Sequence, residues 1–308
     1  MLDPRGAQEV SPYKRKFRQG AIIVPRALLF VVEEDAGPLG AGAGRVRVRS
    51  RRSSTEKKPW KDVPDLTGTV ERALIHPVHL GETLLPYRMT EPLEAVLPIG
   101  LQDPSALAPQ DEIDEYTGMS RWWATVEEQW EAHRVRTERK PLRLRIDYSG
   151  QLSAQLPLDV PQRVVYSASG NSLAASLVVD PAAVVEHKLY WAPARSLAEG
   201  RYLVGILNSS TLLARVKPLQ NQGLFGGRDF DKHIFDIAFP AYDGTDGDHQ
   251  DLVAAVERAE QVAASVDIGA SRSFQAARSL IRRGLVDDGV AVTIDDIVDR
   301  ILPAQDPA

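Results

Sequence analysis

Apolar and polar positions change their rhythm several times along this chain. Residues 21–32, AIIVPRALLFVV, form an apolar run that predicts one or two buried strands broken at Pro25. EEDAGPLGAGAG follows as a loop. From Arg45 to Arg49 arginine then alternates with valine. A period of two predicts a strand with one apolar face and one cationic face, the latter holding Arg45, Arg47 and Arg49. Arg51, Arg52, Lys57, Lys58 and Lys61 continue in a polar loop that also holds Trp60.

Further on, TVERALI, HPVHL and EAVLPIG read as short strands separated by Pro and Gly. Residues 110–140 read as helix, with Trp122, Trp123, Val126 and Trp130 spaced to pack one aromatic side on the body. LRLRIDY, QRVVYSAS, AASLVVD and EHKLYWA resemble strands again. Leu203, Ile206, Leu207, Leu212 and Leu213 suit a helix from about Ala198 to Val216, ending near Pro218, with a break at Asn208-Ser209-Ser210. The last stretch is helical: DHQDLVAAVERAEQVAASV with Asp248 as N-cap, SFQAARSLIRRGL, and TIDDIVDRIL with capping-box spacing from Thr293 to Asp296. The expected class is α+β, a short-strand mixed sheet region followed by a helical C-terminal tail. The expected units are strands plus a basic segment over 1–68, an α+β region over 69–245, and the tail over 246–308.

Charge sharpens this picture. The net charge is −5, but residues 1–61 carry 14 Lys/Arg and 6 Asp/Glu, a surplus of +8, whereas residues 228–308 carry 8 and 16, a surplus of −8. A polyanion would meet the front of the chain; an uneven solvated surface is the plainer alternative. The absence of cysteine excludes disulfides, thiolate zinc sites and cysteine nucleophiles, and suits a cytoplasmic setting. The run at 21–32 is too short and interrupted to span a bilayer, and the first residues lack the apolar stretch of a secretory signal.

Several catalytic motifs fail on geometry. Gly40, Gly42 and Gly44 form a GxGxG, but a phosphate-cradling loop should open a helix, and a strand follows here. A flexible hairpin loop is the better reading. His76 and His79 are three apart across Pro77, with no third ligand evident, and are read as structural. Asp229, Asp231 and Lys232 suggest a nuclease centre, yet Lys232 directly follows Asp231, so the two side chains point to opposite sides of a strand.

In order along the chain stand PWKDVPDLTGTVERALIHPVHLGETLLPYRMTEP, VVYSASGNSLAASLVVD, EHKLYWAPARSLAEGRYLVGILNSS and GGRDFDKHIFDIAFPAYD. FRQGAIIVPRALLFV precedes them and SFQAARSLIRRGLVDDGV follows. Together these segments resemble the C-terminal, non-catalytic half of large adenine-specific DNA methyltransferases of bacterial restriction-modification and phage-defence systems. In that family an S-adenosylmethionine-using domain is followed by a target-recognition region. The Asn-Pro-Pro-aromatic motif of such catalytic domains has no counterpart, because the sequence has no Pro-Pro dipeptide. The resemblance therefore implies a DNA specificity module that works with a methyltransferase catalytic domain or subunit, where S-adenosylmethionine would bind.

The residues give a physical case beside it. Cations on phosphates set register, and side chains on base edges read sequence. Three arginines on one strand face span about 13 Å at ~3.3 Å per residue, comparable with a major groove of ~12 Å. In the segment from Leu207 to Asp243, glycines permit close backbone approach, and Arg228 and Lys232 could contact DNA backbone while Asp229, Asp231 and Asp236 hold those cations or fix the loop. The plainer alternative is a glycine-rich turn closed by local ion pairs. Lys188 beside Tyr190 and Trp191 could contact DNA, with an aromatic stacking on a base, although core packing is the preferred account of the two rings. The expected DNA-contacting residues are Arg45, Arg47, Arg49, Arg51, Arg52, Lys57, Lys58, Lys61, Lys188, Arg228 and Lys232. The acidic tail would serve docking or homo-oligomer formation. Two alternatives stand: a self-contained divergent methyltransferase or nuclease, and a protein-interaction scaffold without DNA affinity.

Overall fold

A computed structural model describes residues 10–38, 40–53, 56–170, 172–219, 222–223, 226–227 and 230–303. The chain enters through β1 (Arg18–Gln19) and a one-turn helix, α1 (Arg26–Leu29). The apolar run at 21–32 is therefore not two strands: Pro25 caps a helical turn, a place where its missing N–H costs nothing. Strand structure resumes in β2 (Phe30–Glu34) and continues in β3 (Arg45–Ser50), β4 (Thr67–Glu71) and β5 (Ile75–His79). A small hairpin, β6 (Leu84–Leu85) and β7 (Arg88–Met89), precedes β8 (Leu93–Val96).

Helices α2 (Gln110–Glu115) and α3 (Thr117–His133) follow, and Trp122, Trp123, Val126 and Trp130 are buried as their spacing predicts. Gly68 of β4 leaves room for this layer: a Cβ there would lie 3.1 Å from Trp122 Cε3. Glu71 fixes where α3 begins, its carboxylate accepting the backbone N–H of Gly118 at 3.0 Å and of Met119 at 2.7 Å. The segment LRLRIDY corrects an expected strand. It forms α4 (Leu142–Ile146), with Leu142 and Ile146 buried one helical turn apart and Leu144 exposed. Three apolar residues at spacing two fit a strand or, through their outer pair, a helix.

The remaining strands are β9 (Arg163–Ser167), β10 (Ala175–Val178), β11 (Val184–Val185) and β12 (Leu189–Pro193). Six strands form a sheet in the order β11-β5-β8-β2-β3-β4, antiparallel except for β11 against β5. Four form an antiparallel sheet in the order β1-β12-β9-β10. α5 (Leu197–Asn208) and α6 (Ser210–Val216) are separated at Ser209, as expected, because its Oγ turns to cap α6 by accepting the Leu212 N–H at 3.1 Å. A two-residue pair, β13 (Gln222–Gly223) and β14 (Gly226–Gly227), lies before the tail helices α7 (Gly247–Ser265), α8 (Phe274–Asp288) and α9 (Val290–Ile301).

Two helix starts differ from expectation. Asp246, not Asp248, caps α7 by accepting from the His249 N–H. Helix α9 starts at Val290, after Gly289 in left-handed conformation at φ +89°, so Thr293 lies inside the helix.

One core joins the four-stranded sheet to α5–α9 and draws in Tyr13 and Phe17 from the front of the chain. Gly205 of α5 permits a close crossing there, with a hypothetical Cβ only 2.7 Å from Val256 of α7. A second core lies between the six-stranded sheet and α3, and a smaller third cluster holds Val165, Val178, Val185 and Trp191. The fold is α+β, as the pattern implies. Among the described residues no helix is long and apolar enough to cross a membrane.

Candidate nucleic-acid interface

The alternating run at 45–50 is a strand, and its register decides the chemistry of its cationic face. Strands β2 and β3 form a hairpin closed by the glycine-rich loop, in which Gly40, Gly42 and Gly44 all have positive φ. The loop feeds a strand, so no helix N-terminus faces it. The guanidinium of Arg45 rests against this loop: a Cβ on Gly42 would lie 2.6 Å from its Nη2, a contact the flexible arginine tip could relieve, and it is the φ of +95° that favours glycine there.

Pairing sets Glu34 opposite Arg47 and Val32 opposite Arg49. Directly opposed residues share a face, so the arginine row acquires an acidic neighbour that alternation alone does not reveal. Glu34 lies 3.5 Å from Arg47 and 2.7 Å from Arg49. Asp65 lies 3.6 Å from Arg49 and 2.6 Å from Arg52. Two carboxylates thus fix three guanidiniums, leaving a net positive face with Arg47 and Arg49 about half exposed. The hydrogen bond to Glu34 raises Arg49 above its ordinary value, so its charge persists at any working pH. Arg45 and Arg51 form no ion pair among the described residues.

The basic loop beyond β3 is anchored rather than free. Trp60 stacks on Trp130 of α3, with ring centroids 5.4 Å apart and planes 8° from parallel. Arg52 donates to the Trp60 carbonyl at 3.3 Å and to that of Val63. Lys57, Lys58 and Lys61 stay exposed, with Lys58 paired to Asp62 at 3.2 Å. The structure therefore brings Arg45, Arg47, Arg49, Arg51, Arg52, Lys57, Lys58 and Lys61 together along one hairpin and its outgoing connection.

Lys188 and Lys232 belong elsewhere. The backbone of Lys188 and that of Phe230 both bond Ala168, at the end of the four-stranded sheet. Arg228 and Asp229 lie outside the described residues. The other two aspartates of that segment hold different partners from those expected. Asp231 accepts from the Tyr190 hydroxyl at 3.3 Å, and its carbonyl from Tyr166 at 2.6 Å. Asp236 pairs with Lys14 and lies 3.2 Å from His233. Tyr190 and Trp191 are buried, and Tyr190 stacks on Tyr166 at 5.2 Å, so core packing accounts for both rings.

His76 and His79 alternate across β5 and point to opposite faces, which prevents a shared ligand. His79 Nδ1 lies 3.2 Å from the Thr83 hydroxyl, and burial lowers both rings to about 4. Residues of this charged surface that sequence reasoning missed are Glu34 and Asp65. The Glu33-Glu34 pair entering a glycine-rich hairpin was the available signal for the first.

No family model matches the chain, and no curated protein does. Among solved structures, the fold is similar to part of the Type IIL restriction-modification enzyme MmeI in complex with DNA. That alignment has a TM-score of 0.53 and 12% identity over 96% of this chain and 33% of that one. A weaker alignment, with a TM-score of 0.37 and 12% identity, pairs 90% of this chain with 31% of the type IIG restriction endonuclease BpuSI. The chain spans about a third of the length of either enzyme, and the likeness to MmeI is one of fold.

Proposed function

We propose that this chain is the DNA target-recognition module of an adenine-specific restriction-modification methyltransferase. Methyl transfer from S-adenosylmethionine would belong to a separate catalytic domain or subunit. The observation that carries the proposal is the fold it shares with one third of a restriction-modification enzyme solved with DNA. The arginine row of β3 supports it. Guanidiniums held in register by Glu34 and Asp65 are pre-ordered for phosphates and base edges, which lowers the entropy lost on binding. The acidic tail, α7–α9, would serve as the docking surface for the catalytic partner.

Charge variants of the full chain test this. The double substitution Arg47→Gln/Arg49→Gln should flatten the dependence of log K on log salt by about 2, roughly 1 for each phosphate that is no longer neutralised. Glu34→Gln should act in the opposite direction, because it leaves two guanidiniums without their shared carboxylate. Fluorescence anisotropy with a labelled duplex reads both. Unchanged binding in the double variant would count against the arginine row.

A further inference from the structure

Next to the arginine row is a pocket of about 310 Å³, between edge strand β4 and the first turns of α3. Arg45, Thr67, Thr69, Thr117, Arg121 and Trp122 contribute to its wall. Neither Arg45 nor Arg121 forms an ion pair among the described residues, and Arg121 is exposed. The carboxylate opposite Arg45 by register is Glu71, but Gly118 and Met119 occupy it with their backbone N–H groups. Trp122, also in the wall, is only 3% exposed.

The wall therefore offers two guanidiniums, unpaired among the described residues, and threonine hydroxyls, with its neighbouring carboxylate already engaged by two backbone N–H groups. Such a donor set fits an anion with several oxygens, and guanidiniums recognise phosphate through paired N–H groups. We propose that this pocket holds a backbone phosphate of duplex DNA, with Arg45 and Arg121 as its charged ligands. This rests on the DNA-recognition reading and adds α3 to the contact surface. The contact is one of positioning, since a phosphate carries no sequence information.

The test is Arg121→Gln in the full chain, with Arg45→Gln as second variant and a thermal melt to confirm folding. Removing both charged ligands of the phosphate, in Arg45→Gln/Arg121→Gln, should make the salt dependence shallower by about 0.9, so that binding is about eightfold weaker at roughly 0.1 M salt, with a smaller change in the same direction from Arg121→Gln alone. The weakening should be equal on unrelated duplexes. A wild-type chain that binds DNA alongside an Arg121→Gln chain with the same slope and affinity would overturn the pocket while sparing the DNA reading. Should the wild type bind no duplex, the DNA reading fails, and inorganic phosphate decides the pocket alone. In a calorimetric titration, phosphate binding by the wild type that is lost in Arg121→Gln would keep it as a phosphate site, and no binding, or equal binding by both chains, would overturn it.

Discussion

Replacing Trp123 by alanine is expected to destabilise the protein by about 3–5 kcal/mol, the range for deleting a large buried aromatic. Trp123 is 1% exposed and lies in the cluster that also holds Leu28, Val48, Val70 and Met119, where α3 meets the six-stranded sheet. Close packing leaves little room for this layer to collapse into the space vacated. The consequence reaches the interface. Trp130 of the same helix is the platform for Trp60, and Trp60 anchors the loop of Lys57, Lys58 and Lys61. Chemical denaturation at neutral pH measures the effect. A destabilisation below about 1 kcal/mol would contradict a central packing role for α3.

Acidification from pH 7 to pH 5 should destabilise the protein by about 2 kcal/mol for each of His76 and His79. Burial lowers both from 6.5 to about 4, and nearby Arg163 lowers His79 further. The unfolded chain takes up a proton on each ring near pH 6.5, whereas the folded chain does so only near 4. Between those values the unfolded state binds more protons, so stability is complete above 6.5 and falls as pH drops. Glu199 and Asp236 act in the same direction at lower pH. Burial alone would raise them, but hydrogen bonds from Arg195 and Tyr13 to Glu199, and from Lys14 and His233 to Asp236, hold them below the usual carboxylate range. Their contribution disappears only as pH falls through that range. Glu94 and Glu260, raised by burial, oppose the trend, so the histidine part must be isolated by substitution. Urea midpoints for the wild type and His79→Gln at both pH values do this. The variant should show about half of the histidine-linked dependence, and an identical pH dependence in the two proteins would contradict the assignment.

Much of the fold follows from periodicity. The Arg–Val alternation makes β3, the tryptophan stripe makes the buried side of α3, and Ser209 breaks α5 from α6 where short polar side chains compete for the backbone. What escaped is either ambiguous locally or decided at a distance. LRLRI fits both periods, and burial of Leu142 and Ile146 selects the helix. Asp246 and Asp248 are equally good caps by type, and the chain geometry selects the first. β11 pairs in parallel with β5 across a hundred residues of intervening chain, which no local pattern encodes.

The candidate site divides in the same way. Its cations and their shared strand face are visible in RVRVRSRR, whereas their counter-charges are not. Glu34 reaches Arg47 and Arg49 only because a particular hairpin register puts it there, and Asp65 reaches Arg49 and Arg52 only after the loop is anchored. Arg121 belongs by sequence to a helix whose informative signal is its apolar side, and only tertiary packing brings it beside Arg45.

Duplex DNA binding by the purified wild-type chain across a salt series tests the proposed role most directly. The predicted result is measurable affinity at low ionic strength, with log K falling linearly and steeply against log salt as phosphate contacts release counterions. No binding at low ionic strength, both alone and with a cognate catalytic partner, would contradict it.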